Sequence, residues 1–244
     1  MSILYLLTLN KEYELNISPD TLEILKNFST IQSNLLIREG SVLETVAESR
    51  NIVARATVAD VFPQDFGIWD LGQFLALLSL FTKPSLDFKD KFVIVKEDSK
   101  EGITSALKFY SAAASMLTTP AKQLNMEGTK VTFDLPAEKI KAVMTAAGTL
   151  GVDDLQFASD GSLITLAALD KDEAKTSASN SYTLPIEEDS EETKFCIYLT
   201  ASLFRMIDDD YEVQLGAESI SQFKSKNRDL TYWMAPTIDS VHGK

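Results

Sequence analysis

Apolar residues recur at helical spacing early in the chain. After Ser18-Pro19, the residues Leu22, Leu25, Phe28 and Ile31 follow one another at intervals of three. A proline in the first turn is typical of a helix start, because its missing N–H has no partner there in any case. The pattern therefore predicts an amphipathic helix over 19–32.

A second stretch repeats this arrangement in the other half of the chain. After Leu135-Pro136, an apolar stripe predicts a helix over 136–149 that ends near Gly151. The stripe consists of Ile140, Val143, Met144, Ala147 and Leu150. Each half then offers a shorter helix, over Asp70 to Phe81 and over Thr200 to Ile207. Two copies of one mixed unit predict a duplicated α+β chain, and duplicated domains often build symmetric assemblies.

Alternating apolar and polar residues predict strands between these helices. In the first half, strands are expected over 35–47, 51–60, 91–97 and 104–110. In the second half, they are expected over 131–135, on both sides of a turn at 159–162, and over 195–199, 211–215 and 230–234. Residues 170–181 show no clear pattern, and the tail from Ser240 is expected to fray.

Residues 111–130 have neither a clear period nor much charge, which is typical of a connector. An alternative is a helical turn over Ala112 to Leu117. We therefore predict a first domain over 1–112, a connector over 113–130 and a second domain over 131–244. The apolar run at the N-terminus lacks the basic leading segment and cleavage site of a signal peptide, so an extra strand or an ordered extension over 1–12 is expected.

Charge and composition narrow the possible chemistry of the 244 residues. The net charge of −13 argues by itself against nucleic acid, although an acidic chain can bind DNA if its few cations face one way. The single cysteine, Cys196, fits a reducing cytoplasm. The single histidine, His242, is the third residue from the C-terminus, where a catalytic or metal-bound imidazole is rarely held in place.

No recognisable catalytic motif accompanies this composition. Phosphate-binding glycine motifs are absent from the sequence. Consecutive carboxylates at Asp208-Asp209-Asp210 could hold magnesium, but three neighbours cannot all converge on one ion, and a solvated turn is the better interpretation. We expect no enzyme activity, no metal and no cofactor.

Two segments rich in apolar residues, Asp20 to Ile31 and Ile68 to Leu80, resemble segments of a known family. Their residues, and the order in which the two segments follow one another, resemble those of the DNA polymerase sliding clamps of T-even-type bacteriophages. The resemblance covers nearly the whole chain after about Tyr13, which makes residues 1–12 an extension beyond the usual family start. The ending Tyr232 to Ile238 is also similar to the C-terminal segment of eukaryotic and archaeal clamps.

The resemblance implies a DNA clamp fold, with two tandem similar domains in each chain and a ring-shaped homotrimer. Helices would line the inner face and antiparallel sheets would lie outside. Strand Ile103 to Tyr110 would pair with the stretch Ala178 to Leu184 of the next copy. Pairing hides both exposed edges, although each could also be an ordinary edge strand. The implied interface residues are Ile103, Leu107, Phe109, Tyr110, Ala178, Tyr182 and Leu184.

The resemblance also implies surfaces for DNA and for protein partners. The expected DNA-facing cations are Lys26, Lys83, Lys139, Lys141 and Arg205. An apolar pocket under the connector would receive peptides of the polymerase and other proteins. Its expected residues are Val46, Val53, Leu124, Tyr232, Met234 and Pro236. Tyr232 and Met234 could equally be core residues of the last strand, because strand alternation buries one face.

The function implied is that of a non-enzymatic processivity factor. A ring around duplex DNA would tether the replicative DNA polymerase and make its rebinding intramolecular. An ATP-dependent clamp loader would place the ring on DNA in the cytoplasm of the infected bacterium, and late-transcription factors are possible further partners. Two alternatives remain open from the residues alone. One is a metal-dependent nuclease using the aspartate clusters, and the other is a structural phage protein that only oligomerises.

Overall fold

The chain forms two compact units in a computed structural model that describes residues 13–97, 105–121, 124, 130–176, 179–188, 194–216, 220–237 and 240–242. Unit 1 comprises Met1–Thr45 and Thr57–Thr119, and unit 2 comprises Val46–Ala56 and Pro120–Lys244. Residues Val46–Ala56 group with unit 2 because Ile52 to Ala56 pair in register with Met234 to Leu230. Nothing in the hydrophobic pattern indicates this exchange.

The described residues of unit 1 form two α-helices and several antiparallel strands. Its elements are β1 (Tyr13–Asn16), α1 (Pro19–Ile31), β2 (Leu35–Ile37), β3 (Gly40–Val46), β4 (Ile52–Phe62), β5 (Phe66–Ile68), α2 (Leu71–Leu78), β6 (Ser85–Phe88), β7 (Phe92–Lys96) and β8 (Ala106–Tyr110). Four of the strands form a sheet in the order β1-β6-β7-β8, and β2 pairs with β5. The first residues of β4 belong to unit 2.

Both helices in unit 1 begin at the residues that the sequence predicts. The Ser18 hydroxyl accepts a hydrogen bond from the Thr21 amide at the start of α1, and the Asp70 carboxylate accepts one from the Gln73 amide at the start of α2. The predicted helix over Asp70 to Phe81 is therefore correct at its start, but it ends at Leu78. The predicted strand over 35–47 is two strands, which are separated where Gly40 takes a φ of +113°.

Unit 2 repeats the order of helix and strands with a longer set of elements. These are β9 (Lys130–Leu135), α3 (Ala137–Leu150), β10 (Asp154–Asp160), β11 (Leu163–Leu169), α4 (Lys171–Thr176), β12 (Tyr182–Glu188), β13 (Lys194–Thr200), β14 (Tyr211–Gly216), β15 (Ser221–Ser225), β16 (Leu230–Met234) and β17 (Val241–His242). One sheet has the order β12-β11-β10-β13-β17, and in the other β16, β15, β14 and β9 follow one another.

Two predictions for the second half are wrong, and one helix there was not predicted. The helix over Thr200 to Ile207 is only a 3₁₀ turn, Ala201–Leu203, because tyrosine hydroxyls bond the backbone N–H and C=O of Ile207 in place of a helix. The polar residues after 170 form α4, capped by the Asp170 carboxylate. The tail does not fray at Ser240, since β17 pairs with β13.

The α+β prediction itself is confirmed. Helix α3 ends at Gly151, which has a left-handed φ of +71°, where the stripe of apolar residues stops. The ladders within each unit are antiparallel, and each unit buries its own aromatic core. Phe28, Phe62, Phe66 and Phe74 are buried in unit 1, and Phe133, Phe157, Tyr211, Phe223 and Tyr232 are buried in unit 2.

Candidate functional site

The predicted cations of unit 1 are exposed but are not concentrated. Lys26 lies on the solvent face of α1, which it shares with the exposed acids Asp20 and Glu23. Lys83 follows α2, and its backbone N–H donates to the Glu97 carboxylate at 3.3 Å. On the solvent face of α1, the two carboxylates offset the positive charge of Lys26, so unit 1 has no concentrated basic patch among these residues.

The predicted cations of unit 2 have different surroundings. Lys141 is exposed on α3. Arg205 is also exposed, but it follows the 3₁₀ turn and its Nε donates to the Ser202 carbonyl at 2.9 Å. Lys139 is half-buried, and its Nζ donates to the carbonyls of Pro185 and Ile186 at 2.7 and 2.8 Å. The Lys139 ammonium is thus bonded within the chain, a role that sequence reasoning missed.

The first predicted interface strand, β8, lies at the edge of its sheet. Tyr110 at its end is 65% exposed, whereas Leu107 and Phe109 are half-buried. Phe109 packs on Phe74, with ring centroids 5.0 Å apart, and so belongs to the core of unit 1. Ile103 lies outside the described residues. An edge strand with an exposed aromatic ring is suited to pairing with another chain.

The second predicted interface strand, β12, is also at a sheet edge. Tyr182 is 41% exposed, Leu184 is buried, and Ala178 lies outside the described residues. Tyr182 borders a groove of about 630 Å³ along α3, whose apolar lining includes Ala146 and Leu150. Each unit therefore carries one candidate contact strand with a tyrosine on its surface.

The six residues predicted to form a partner pocket do not share one surface. Tyr232 and Met234 are fully buried, and Val46 is buried as well. Val53 pairs with Trp233, and because neighbouring residues of a strand point to opposite faces, both lie on the face away from Tyr232 and Met234.

Trp233 is the residue that sequence reasoning missed on the open face. It is half-buried, and its indole N–H donates to the Gln222 side chain at 3.0 Å. Leu124 and Pro236 are also half-buried. The sequence did carry a signal for the position of Trp233. Leu230, Tyr232 and Met234 alternate with Thr231 and Trp233 and are the more apolar of the two sets, so they are expected in the core and Trp233 on the opposite face.

The three consecutive aspartates do not converge. Asp208 is exposed, and Asp210 accepts a hydrogen bond from the Ala137 amide at the start of α3. Asp209 is buried and accepts hydrogen bonds from Ser225 Oγ and Asn227 Nδ2, each at 2.5 Å. Burial alone would raise the pKa of Asp209, but these hydrogen bonds outweigh it and hold the pKa below its usual value. Two of the three carboxylates therefore have structural partners, which gives the nuclease alternative no support.

The described part of the chain contains no group of three or more His, Cys, Asp or Glu side chains arranged to hold a metal ion. None of its helices is long and apolar enough to cross a membrane.

The arrangement of helices and sheets is that of a DNA clamp. The fold superposes with a TM-score of 0.68 on PCNA of A. fulgidus, which was solved with the C-terminal region of FEN-1 bound. That match covers 93% of this chain and 99% of the other at 15% sequence identity, a level that establishes the fold alone.

Proteins with similar sequences show which family of DNA clamps the chain resembles. Residues 18–118 match the family described as DNA polymerase processivity factor. The chain is 31% identical over 227 residues to the sliding clamp of Vibrio phage KVP40, covering 91% of this chain and 98% of the relative. It is 25% identical over 234 residues to the sliding clamp of Enterobacteria phage T4, covering 93% and 99%. The chain therefore belongs to the family of phage sliding clamps, and the resemblance drawn from its sequence is confirmed.

Proposed function

We propose that three copies of this chain close into a ring around duplex DNA and tether the phage DNA polymerase to it. The observation that carries the proposal is that β8 in unit 1 and β12 in unit 2 are both edge strands with an exposed tyrosine. Exposed edges can pair with another chain, and pairing of β8 in one copy with β12 in the next is a head-to-tail contact. Such an interface closes into a ring when its rotation allows. In this proposal, each copy contributes two clamp domains joined by the connector, so the ring has six similar domains.

The proposed inner surface holds DNA weakly and without reading sequence. Lys26, Lys83, Lys141 and Arg205 are exposed and can approach phosphates. Acids share α1 with Lys26, so the attraction is modest and the ring can slide. Lys139 is left out of this set, because its ammonium is already bonded to two backbone carbonyls.

Partner proteins are proposed to bind the open sheet face of unit 2. Val53 and Trp233 lie side by side there, and Pro236 follows in the chain. A few apolar anchors on a rigid sheet are sufficient for a peptide segment of a partner. We assign this surface to the polymerase first, and to the clamp loader and late-transcription factors as competing occupants in the cytoplasm of the infected bacterium. In all these roles the chain acts as a non-enzymatic tether.

Topology provides the test of this function. With the phage polymerase and an ATP-driven loader, we expect the protein to lengthen the products of primer extension on circular templates. Linear templates with free ends should show much less stimulation, because a ring slides off an open end. Blocking the ends with bulky protein complexes should restore the effect. Equal stimulation on circular and free-ended templates would contradict encirclement.

A further inference from the structure

Lys139 joins the first turn of α3 to the edge strand β12. Its Nζ donates to the carbonyl of Pro185 at 2.7 Å and to that of Ile186 at 2.8 Å. A lysine ammonium has three donors, so two of them are used on adjacent carbonyls of one strand. Hydrogen bonds from a charged donor are stronger than those between neutral groups.

The two carbonyls lie where β12 is irregular. Opposite β11, Thr165 pairs with Pro185 and Ile164 pairs with Glu187, so Ile186 is an extra residue in the ladder. Carbonyls of successive residues in a regular strand point to opposite edges, whereas here two in a row reach one ammonium. The bulge and the ammonium therefore occur at the same place.

The irregular part of β12 also cannot pair freely on its outer side. Pro185 has no N–H to donate, and proline and bulges are both devices that limit pairing at sheet edges. Residues Tyr182 to Leu184 remain in a regular register with β11, opposite Ala168 to Leu166. The edge of β12 thus has a short regular part and a blocked part, and the boundary between them is the site that Lys139 holds.

We propose that Lys139 is a positioning residue for self-association: it fixes the bulged end of β12 so that a second copy of this chain pairs with Tyr182 to Leu184 in a single register. This inference rests on the proposed ring. A strand whose end is already ordered loses less conformational freedom when it binds. A bulge fixed at one position also prevents the register slips to which edge strands are prone.

The test compares substitutions of this lysine with a matched control. Lys139→Met keeps the length of the side chain and removes the donors, whereas Lys139→Arg keeps donors for both carbonyls. Lys26→Met removes an exposed lysine on α1 and serves as the charge-matched control. Self-association is measured by sedimentation over a range of concentrations. Amide hydrogen exchange of Leu184, Ile186 and Glu187 is measured at a dilution where the chains are monomeric.

We expect Lys139→Met to weaken self-association about tenfold or more and to speed exchange at these amides by a similar factor, as expected for the loss of charged hydrogen bonds. Lys139→Arg should restore both, and Lys26→Met should change neither. Equal self-association of Lys139→Met and Lys26→Met would overturn the role of Lys139 and leave the ring intact. A failure of Lys139→Arg to restore association would also overturn it. A wild-type chain that is monomeric at every concentration would overturn the ring and this inference together.

Discussion

Asp209 shows how a single residue of a charged run has a structural role. Its buried carboxylate accepts hydrogen bonds from Ser225 and Asn227 and, through the backbone amide, from Asp210. These bonds tie the residues before β14 to the turn that follows β15. The sequence alone indicated only a solvated acidic turn, since nothing in three identical side chains says which one is buried.

The Asp209→Asn variant should lose about 1–3 kcal/mol of unfolding free energy at pH 7, the range for a broken buried hydrogen-bond network. Because the folded pKa of Asp209 is below its usual value, its contribution is present above the unfolded value of about 3.9 and is lost as the pH falls through the folded pKa. The stability difference between wild type and variant should therefore shrink below about pH 4. Denaturant unfolding at several pH values measures it.

The exposed neighbour supplies the control for this prediction. Asp208→Asn should change the unfolding free energy little at any pH, because that side chain lies in solvent. A difference for Asp209→Asn that stays constant down to pH 2 would contradict the assigned role of its charge.

Predictions for single residues succeeded where a repeating pattern determines burial, and they failed where a single tertiary contact determines the surroundings of a side chain. Alternation along the last strand left two interpretations of Tyr232 and Met234, and the structure shows that they are core. Lys139 was expected to face DNA like Lys141, because both lie on a helix that the resemblance places at the inner face. Residues two apart point to different sides of a helix, and the side that carries Lys139 meets the bulge of β12. A bulge leaves no signature in the spacing of hydrophobic residues.

At the scale of elements, the segment after β8 is held by a close backbone approach. The Ala112 amide donates to the Gly67 carbonyl at 2.8 Å, and the Gly67 amide donates to Ser111 Oγ at 2.9 Å. A Cβ on Gly67 would lie 2.3 Å from the Ala112 carbonyl oxygen and 2.9 Å from a methyl carbon of Leu117. Glycine at this position lets the segment pack on β5.

Gly67→Ala should therefore reduce the unfolding free energy by about 1–3 kcal/mol, the usual cost of overpacking. Gly148→Ala is the matched control, because a Cβ there meets no atom within 4 Å and the residue lies inside α3. That control should be neutral or more stable by up to about 1 kcal/mol, since alanine favours helix over glycine. Denaturant unfolding followed by circular dichroism compares them. Equal stability of the two variants would contradict the close approach.

The long helices and most of the alternating strands were predictable, whereas the short helical segments of the second half were not. The stripes of α1 and α3, with Ser18 and Gly151 at their ends, indicated helices close to the observed bounds. The 3₁₀ turn at Ala201–Leu203 was predicted as a longer helix, because the tyrosine hydroxyls that bond the backbone of Ile207 come from the distant strands β14 and β16. Tertiary contacts of this kind outweigh local preference in short segments.

At the scale of the whole molecule, duplication was visible in the sequence and the partition between units was not. The two helices, each followed by strands, indicated a repeated unit. The transfer of Val46–Ala56 to unit 2 depends on pairing with β16, about 180 residues away along the chain. Family membership came from short apolar segments in the right order, since the charge of −13 by itself pointed away from DNA.

The native mass of the protein tests the proposed ring most directly. Sedimentation equilibrium over a wide concentration range should give a discrete species of about 81 kDa, three times the chain mass of 27.0 kDa. Tyr110→Ala, which truncates an exposed side chain of β8, should shift this species toward the monomer without unfolding it. A mass of 27.0 kDa at every concentration, or one that grows without limit as in an open polymer, would contradict the closed trimer.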